Sequence, residues 1–118
     1  MCIRDRARFE QAIVCYDAVL SQEKENLLAL LNKGLAHHYI AQYEIALKCY
    51  DEVLNEKPQN TTALYNKASS LIKYGRTKEG LEILSQVIKL DFSFKAKAKF
   101  DIDFEEIQHL NEFKKLTL

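Results

Sequence analysis

Cys15 and Cys49 are the side chains best suited to redox chemistry or soft-metal binding in this sequence, and they stand 34 positions apart. Each opens the same tripeptide, Cys-Tyr-Asp, and 34 positions further on the slot holds Ile83. A slot filled by Cys, Cys and Ile is a small apolar packing position, where a buried thiol behaves as a small hydrophobe. His37 and His38 are neighbours, and on a helix they project about 100° apart, so they cannot grip one ion as an i,i+4 pair would. No acid or cysteine stands at ligand spacing from them. Ser69 and Ser70 lack the flanking glycines of a nucleophile elbow, and no glycine-rich loop is present to cradle phosphate. The acidic run Asp-Ile-Asp-Phe-Glu-Glu at 101–106 competes as a calcium loop, but an apolar residue separates its first carboxylates and the oxygen-rich spacing of such a loop is missing. The sequence therefore predicts a non-enzyme, with no catalytic residues, no metal site and no cofactor.

The elements that must position any binding residues are helices. One proline and three glycines in 118 residues leave few breaks, too few for many short strands. The length suits one domain, or a piece of a longer one. Lys plus Arg is 17 and Asp plus Glu is 17, a balance that gives no electrostatic reason to expect nucleic acid or an anionic membrane as partner. No stretch approaches the roughly 18 apolar residues of a membrane span, and no basic segment followed by an apolar run opens the chain. Three cysteines without a C-x-x-C pair argue against a disulfide framework and for a reducing, cytoplasmic setting. No small-molecule substrate is indicated.

Laid against itself with a shift of 34, the chain repeats. Phe9 to Asn26 falls on Tyr43 to Asn60 with eight of eighteen positions identical, among them Ala12/Ala46, Cys15/Cys49, Tyr16/Tyr50 and Val19/Val53. Ala29 to Lys33 (ALLNK) falls on Ala63 to Lys67 (ALYNK), Leu47 on Leu81 and Val53 on Val87. A fixed period over three copies takes precedence in reading organisation. Apolar residues at three- and four-residue spacing predict helices over Phe9 to Glu23, Asn26 to Ala41, Tyr43 to Lys57, Thr61 to Tyr74 and Thr77 to Leu90. Short breaks separate them, with Pro58 unable to continue a helix and Asn60 suited to cap the next.

This unit resembles the tetratricopeptide repeat (TPR). In the second copy Gly34 matches the family's small residue, Tyr43 its aromatic, Ala46 its alanine, Tyr50 its large aromatic and Pro58 its closing proline. The third copy departs, with Ala68, Thr77, Gly80, Leu84 and Phe92 in those places. The resemblance implies an all-α fold, an α-α superhelix (solenoid) of antiparallel helical hairpins. Gly34, Ala46, Ala68 and Gly80 would let the two helices of a hairpin approach closely. The segment Ala98 to Leu116 is similar to a tail that closes many prokaryotic arrays, with Asp101, Asp103, Phe104, Ile107, Phe113 and Leu116 on its pattern. Such a C-terminal cap must cover the last apolar face, a task open to Phe100, Phe104, Ile107, Leu110, Phe113 and Leu116.

The first six residues, MCIRDR, belong to no pattern found elsewhere. Their codons fit ATG-TGT-ATA-AGA-GAC-AG, which resembles a transposase adapter used in sequencing libraries. The expected organisation is accordingly an adapter-derived stretch at 1–6, the second helix of a truncated repeat at 7–26, complete repeats at 27–60 and 61–94, and a cap at 95–118.

By the same resemblance, first helices line a concave groove that holds a peptide or a partner's helix. Its slots fall on Leu28, Leu31, Asn32, Leu35, His38 and Tyr39 in the second copy, and on Thr62, Tyr65, Asn66, Ser69, Ile72 and Lys73 in the third. His37 takes a core slot. Asn32 and Asn66 can bond a peptide backbone through both amide atoms, or can serve a local helix contact. Members that clamp a terminal carboxylate use Lys, Arg and Asn, but the matching slots here hold Leu31, Leu35 and Asn66, and Lys73 alone makes a poor clamp. An apolar peptide or amphipathic helix is the expected partner. Two other functions compete with this scaffold: the regulatory or docking tail of a longer enzyme, and a self-association module (a homo-oligomer) through an uncovered face bearing Ile13, Tyr16 and Leu20.

Overall fold

The computed structural model describes residues 3–118, with side chains from Arg6 onward; Met1 and Cys2 of the opening hexapeptide lie outside the described residues. The described residues are helical, as the periodicity requires, and hold no strand. They divide into two compact units, Met1–Pro58 and Gln59–Leu118.

The first unit holds α1 (Ile3–Gln22), α2 (Leu27–Tyr39) and α3 (Tyr43–Glu56), with α2 packed on both α1 and α3. Asn26 caps α2 by accepting a hydrogen bond from the Ala29 N–H at 2.9 Å. α1 starts six residues before the expected Phe9, and Arg6 pairs with Glu10 one turn on at 2.9 Å. The second unit holds α4 (Thr61–Lys73), α5 (Thr77–Leu90) and α6 (Ser93–Lys99), followed by a 3-10 helix (Ile102–Ile107) and α7 (Asn111–Thr117). Asn60 caps α4 as expected, through the Ala63 N–H at 3.0 Å.

Both hairpins turn in the same way. Ala41 has φ 62° and Gly75 φ 93°. The N–H of Gln42 reaches back to the His37 carbonyl and that of Ala41 to His38, while Arg76 and Gly75 reach Leu71 and Ile72. This is the left-handed C-terminal motif that satisfies the last helical carbonyls. Three residues between α2 and α3 then force an antiparallel pair.

Close approach within each hairpin rests on the expected small residues. A Cβ built on Gly34 would stand 2.6 Å from the Tyr50 ring and 3.1 Å from Cys49 Cβ. One on Gly80 would stand 2.5 Å from Ile72 and 2.9 Å from the Ala68 carbonyl oxygen. Ala46, Tyr50 and Val53 are sealed in the first unit, and Ala68, Leu84, Val87, Phe104 and Phe113 in the second. Each large one contributes about 1.5–3 kcal/mol by leaving water.

Candidate functional site

The twelve residues expected along a groove meet different surroundings in the two units. On α2, Leu28, Leu31, Asn32, Leu35 and Tyr39 fall within a 100° sector of the helix, by their spacing of three, four, seven and eleven residues. Leu28 is 68% exposed, Leu31, Asn32 and Leu35 are half-buried, and Tyr39 is exposed at its edge. The face is thus an apolar stripe with one amide beside it. Its C-terminal end is bounded by Phe9 of α1, whose ring stacks on Tyr39 at 5.2 Å. His38 points elsewhere: it is buried, edge-on to Tyr39 and Tyr43. His37 is buried too, and donates from Nδ1 to Gln42 Oε1 at 2.7 Å. That bond ties the last turn of α2 to the start of α3. Behind the stripe, Lys33 pairs with Asp17 of α1 at 2.7 Å, and this hydrogen bond holds the ammonium above its usual range.

On α4 the corresponding face carries different chemistry. Tyr65 and Ser69 stand 34 positions after Leu31 and Leu35, and both are buried. The Tyr65 hydroxyl donates to Asp101 Oδ2 at 2.6 Å, and the Ser69 hydroxyl to Asp103 Oδ2 at 3.0 Å. Asp101 also accepts from the Asp103 N–H at 2.9 Å through its other oxygen, capping the 3-10 helix. Phe104 meets the Tyr65 ring edge-on at 5.6 Å, Phe94 lies 5.1 Å away, and Lys97 Nζ sits 4.8 Å over the same ring. The tail therefore folds onto α4 itself. Ile72 is buried towards Gly80 of α5. Thr62 and Lys73 are exposed and Asn66 is half-buried.

Asp101 and Asp103 of the acidic run accept from the Tyr65 and Ser69 hydroxyls, while Glu105 and Glu106 are exposed. Among the described residues no group of three or more His, Cys, Asp or Glu is placed to hold a metal ion, and no helix is long and apolar enough to cross a membrane. Two sequence expectations need correction. Phe100 is not part of the cap but 81% exposed, one residue beyond the end of α6 where the chain turns into the 3-10 helix. Cys49 is a buried packing residue, with its thiol pushed up by burial, but Cys15 is exposed. Cys49 lies against Gly34 of the preceding helix, whereas α1 is the first helix of its unit.

A feature the sequence reading missed is a cleft of about 760 Å³ between α5 and α7, with Leu81, Leu110 and Leu116 as its apolar lining. Leu81 is half-buried while its repeat mate Leu47 is buried. The 34-residue alignment carries no signal for that difference, because α7 lies outside the period.

Compared with known families, residues 5–87 match the family model for anaphase-promoting complex, cyclosome, subunit 3. No curated protein matches the chain.

Proposed function

Because the chain belongs to the family of anaphase-promoting complex, cyclosome, subunit 3, whose repeats are TPR-like, we propose that it is a protein-binding module that takes an apolar peptide or amphipathic helix along α2. Repeats of this kind generally mediate protein interactions. One observation carries the finer reading: Leu28, Leu31 and Leu35 form an exposed to half-exposed stripe on α2, while on α4 the tail engages Tyr65 and Ser69, the counterparts of Leu31 and Leu35. Leucines at i, i+3 and i+7 offer pockets to a partner helix with the same periodicity. The Asn32 amide beside them can donate and accept at one backbone position of an extended ligand. On α4, Thr62, Asn66 and Lys73 are the expected groove residues with surface of their own. No step of catalysis belongs to this reading.

The experiment is selection of helical peptides from a displayed library, followed by fluorescence anisotropy on the winners. Leu28→Glu and Leu35→Glu, which place a charge in the stripe, are expected to weaken binding at least tenfold. Selected peptides that bind both variants as tightly as the parent chain would sink the α2 site.

A further inference from the structure

The cleft between α5 and α7 has an apolar floor and a charged rim, and the arrangement of the charges identifies an occupant. At about 100° per residue, Leu81 of α5 stands next to the sealed face of Leu84 and Val87, and Lys78 and Glu82 lie further round towards solvent. On α7 Leu116 stands nearer the buried Phe113 and Thr117, with Glu112 and Lys115 outward of it. Leu81, Leu110 and Leu116 are half-buried, and the four charged residues are exposed. None of the four belongs to an ion pair among the described residues.

Each helix thus presents one cation and one anion about a turn apart on the rim. An edge of that kind is complementary to itself. Laid antiparallel on its own copy, α5 sets Lys78 against Glu82 and Glu82 against Lys78, and α7 matches Glu112 with Lys115 in the same way. Against an edge of a single sign, every second contact would be repulsive. Two-fold symmetry repeats each favourable contact, and the leucines of the two floors close over one another. From this self-complementarity we infer that the cleft is the interface of a homodimer, in which α5 and α7 of a second copy cover α5 and α7 of the first. The cleft runs along only about two turns of α5, from Thr77 to Ser85. That is a smaller face than permanent dimers bury, so monomer and dimer should exchange. The surface is distinct from the α2 stripe, and its success or failure leaves that reading untouched.

Sedimentation velocity on the full chain tests this, in reducing buffer because Cys15 is exposed. The parent chain should pass from monomer to dimer as its concentration rises. Glu82→Lys sets lysine against lysine twice in the dimer, and Lys78→Glu sets glutamate against glutamate. Each variant alone should dimerise roughly tenfold more weakly, from two repulsive pairs of the size measured for exposed charges. Mixed in equal amounts, the two variants carry opposite rims on α5 and should dimerise as well as the parent does. Circular dichroism of each variant alone checks that it is folded. A parent chain that stays monomeric overturns the proposal, since the cleft would then serve another partner. So does a dimer that both variants leave unchanged, or a weakening that mixing does not rescue.

Discussion

α2 and α4 are the same helix twice, down to the shared Ala-Leu-x-Asn-Lys, but they differ where Leu31 and Leu35 become Tyr65 and Ser69. On α4 the two hydroxyls receive the carboxylates of Asp101 and Asp103, and Phe104 and Phe94 close over the tyrosine ring. On α2 the two leucines are half-exposed. The lesson is that two side chains select what a repeat face receives. A hydroxyl pair, four residues apart on a helix, matches two carboxylates two residues apart in a 3-10 turn, whereas leucines offer only apolar area.

The largest test of that contrast is to remove the tail's anchor. Phe104 is fully buried between Tyr65 and Phe113, so Phe104→Ala leaves a ring-sized cavity and should cost about 3–5 kcal/mol. Urea denaturation of the second unit would measure it, and limited proteolysis should newly cut near Asp101. A variant as stable and protease-resistant as the parent would mean that the tail is not held by its aromatic core.

Next in size are the glycines at the two crossings. Alanine improves helix propensity by up to about 1 kcal/mol, but at Gly80 the added carbon meets the backbone oxygen of Ala68 at 2.9 Å as well as Ile72. At Gly34 it meets side chains alone, though Tyr50 is sealed and has little room to move. Overpacking costs of about 1–3 kcal/mol should outweigh the propensity gain at both, and Gly80→Ala should be the worse. Thermal unfolding of the two variants checks the order.

These glycines were legible in the sequence because a repeat aligns each with a packing slot. So were the five helices α1 to α5, the Asn60 cap and the burial of Cys49. The path of the tail onto Tyr65 and Ser69 was not. The carboxylate partners lie 36 and 34 residues away from the hydroxyls, and no periodicity links a cap to the helix it covers. Phe100 misled for a related reason: it fits the apolar spacing of the tail, but the chain turns at its position and leaves the ring outside. Cys15 misled because equivalence by sequence carries over the residue and not the neighbouring helix that buries it.

A smaller and sharper test removes the polar matching alone. Tyr65→Phe keeps the ring packing and deletes the donor to Asp101, while Ser69→Ala deletes the donor to Asp103. Hydrogen bonds to charged acceptors contribute roughly 1.5–3 kcal/mol when buried, and these carboxylates are half-exposed, so about 1 kcal/mol each is expected. The double variant should lose close to their sum only if the two pairs act independently. Denaturant midpoints for the four-member set measure the coupling. If neither change lowers the midpoint, the hydroxyls do not select the tail and the contrast between α2 and α4 rests on packing alone.

The smallest effect compares the two hairpin turns. Ala41 and Gly75 hold the same position after α2 and α4, both with positive φ. An L-residue there suffers contact of its Cβ with the following carbonyl, about 1–2 kcal/mol. Glycine escapes it but orders from a freer unfolded chain, at a cost of about 0.4–1 kcal/mol. Ala41→Gly should therefore gain about 0.5 kcal/mol, and Gly75→Ala should lose a similar amount. At Gly75 the reading is clean, since an added Cβ finds no heavy atom within 4 Å and only the backbone term changes. For a chain of this length each shift corresponds to a Tm change of about 2 °C, within reach of calorimetry. Opposite signs at the two positions confirm a shared turn with one unfavourable residue. If Ala41→Gly destabilises instead, the Ala41 methyl makes a contact that outweighs its strain, and the two turns differ in packing as the two helix faces do.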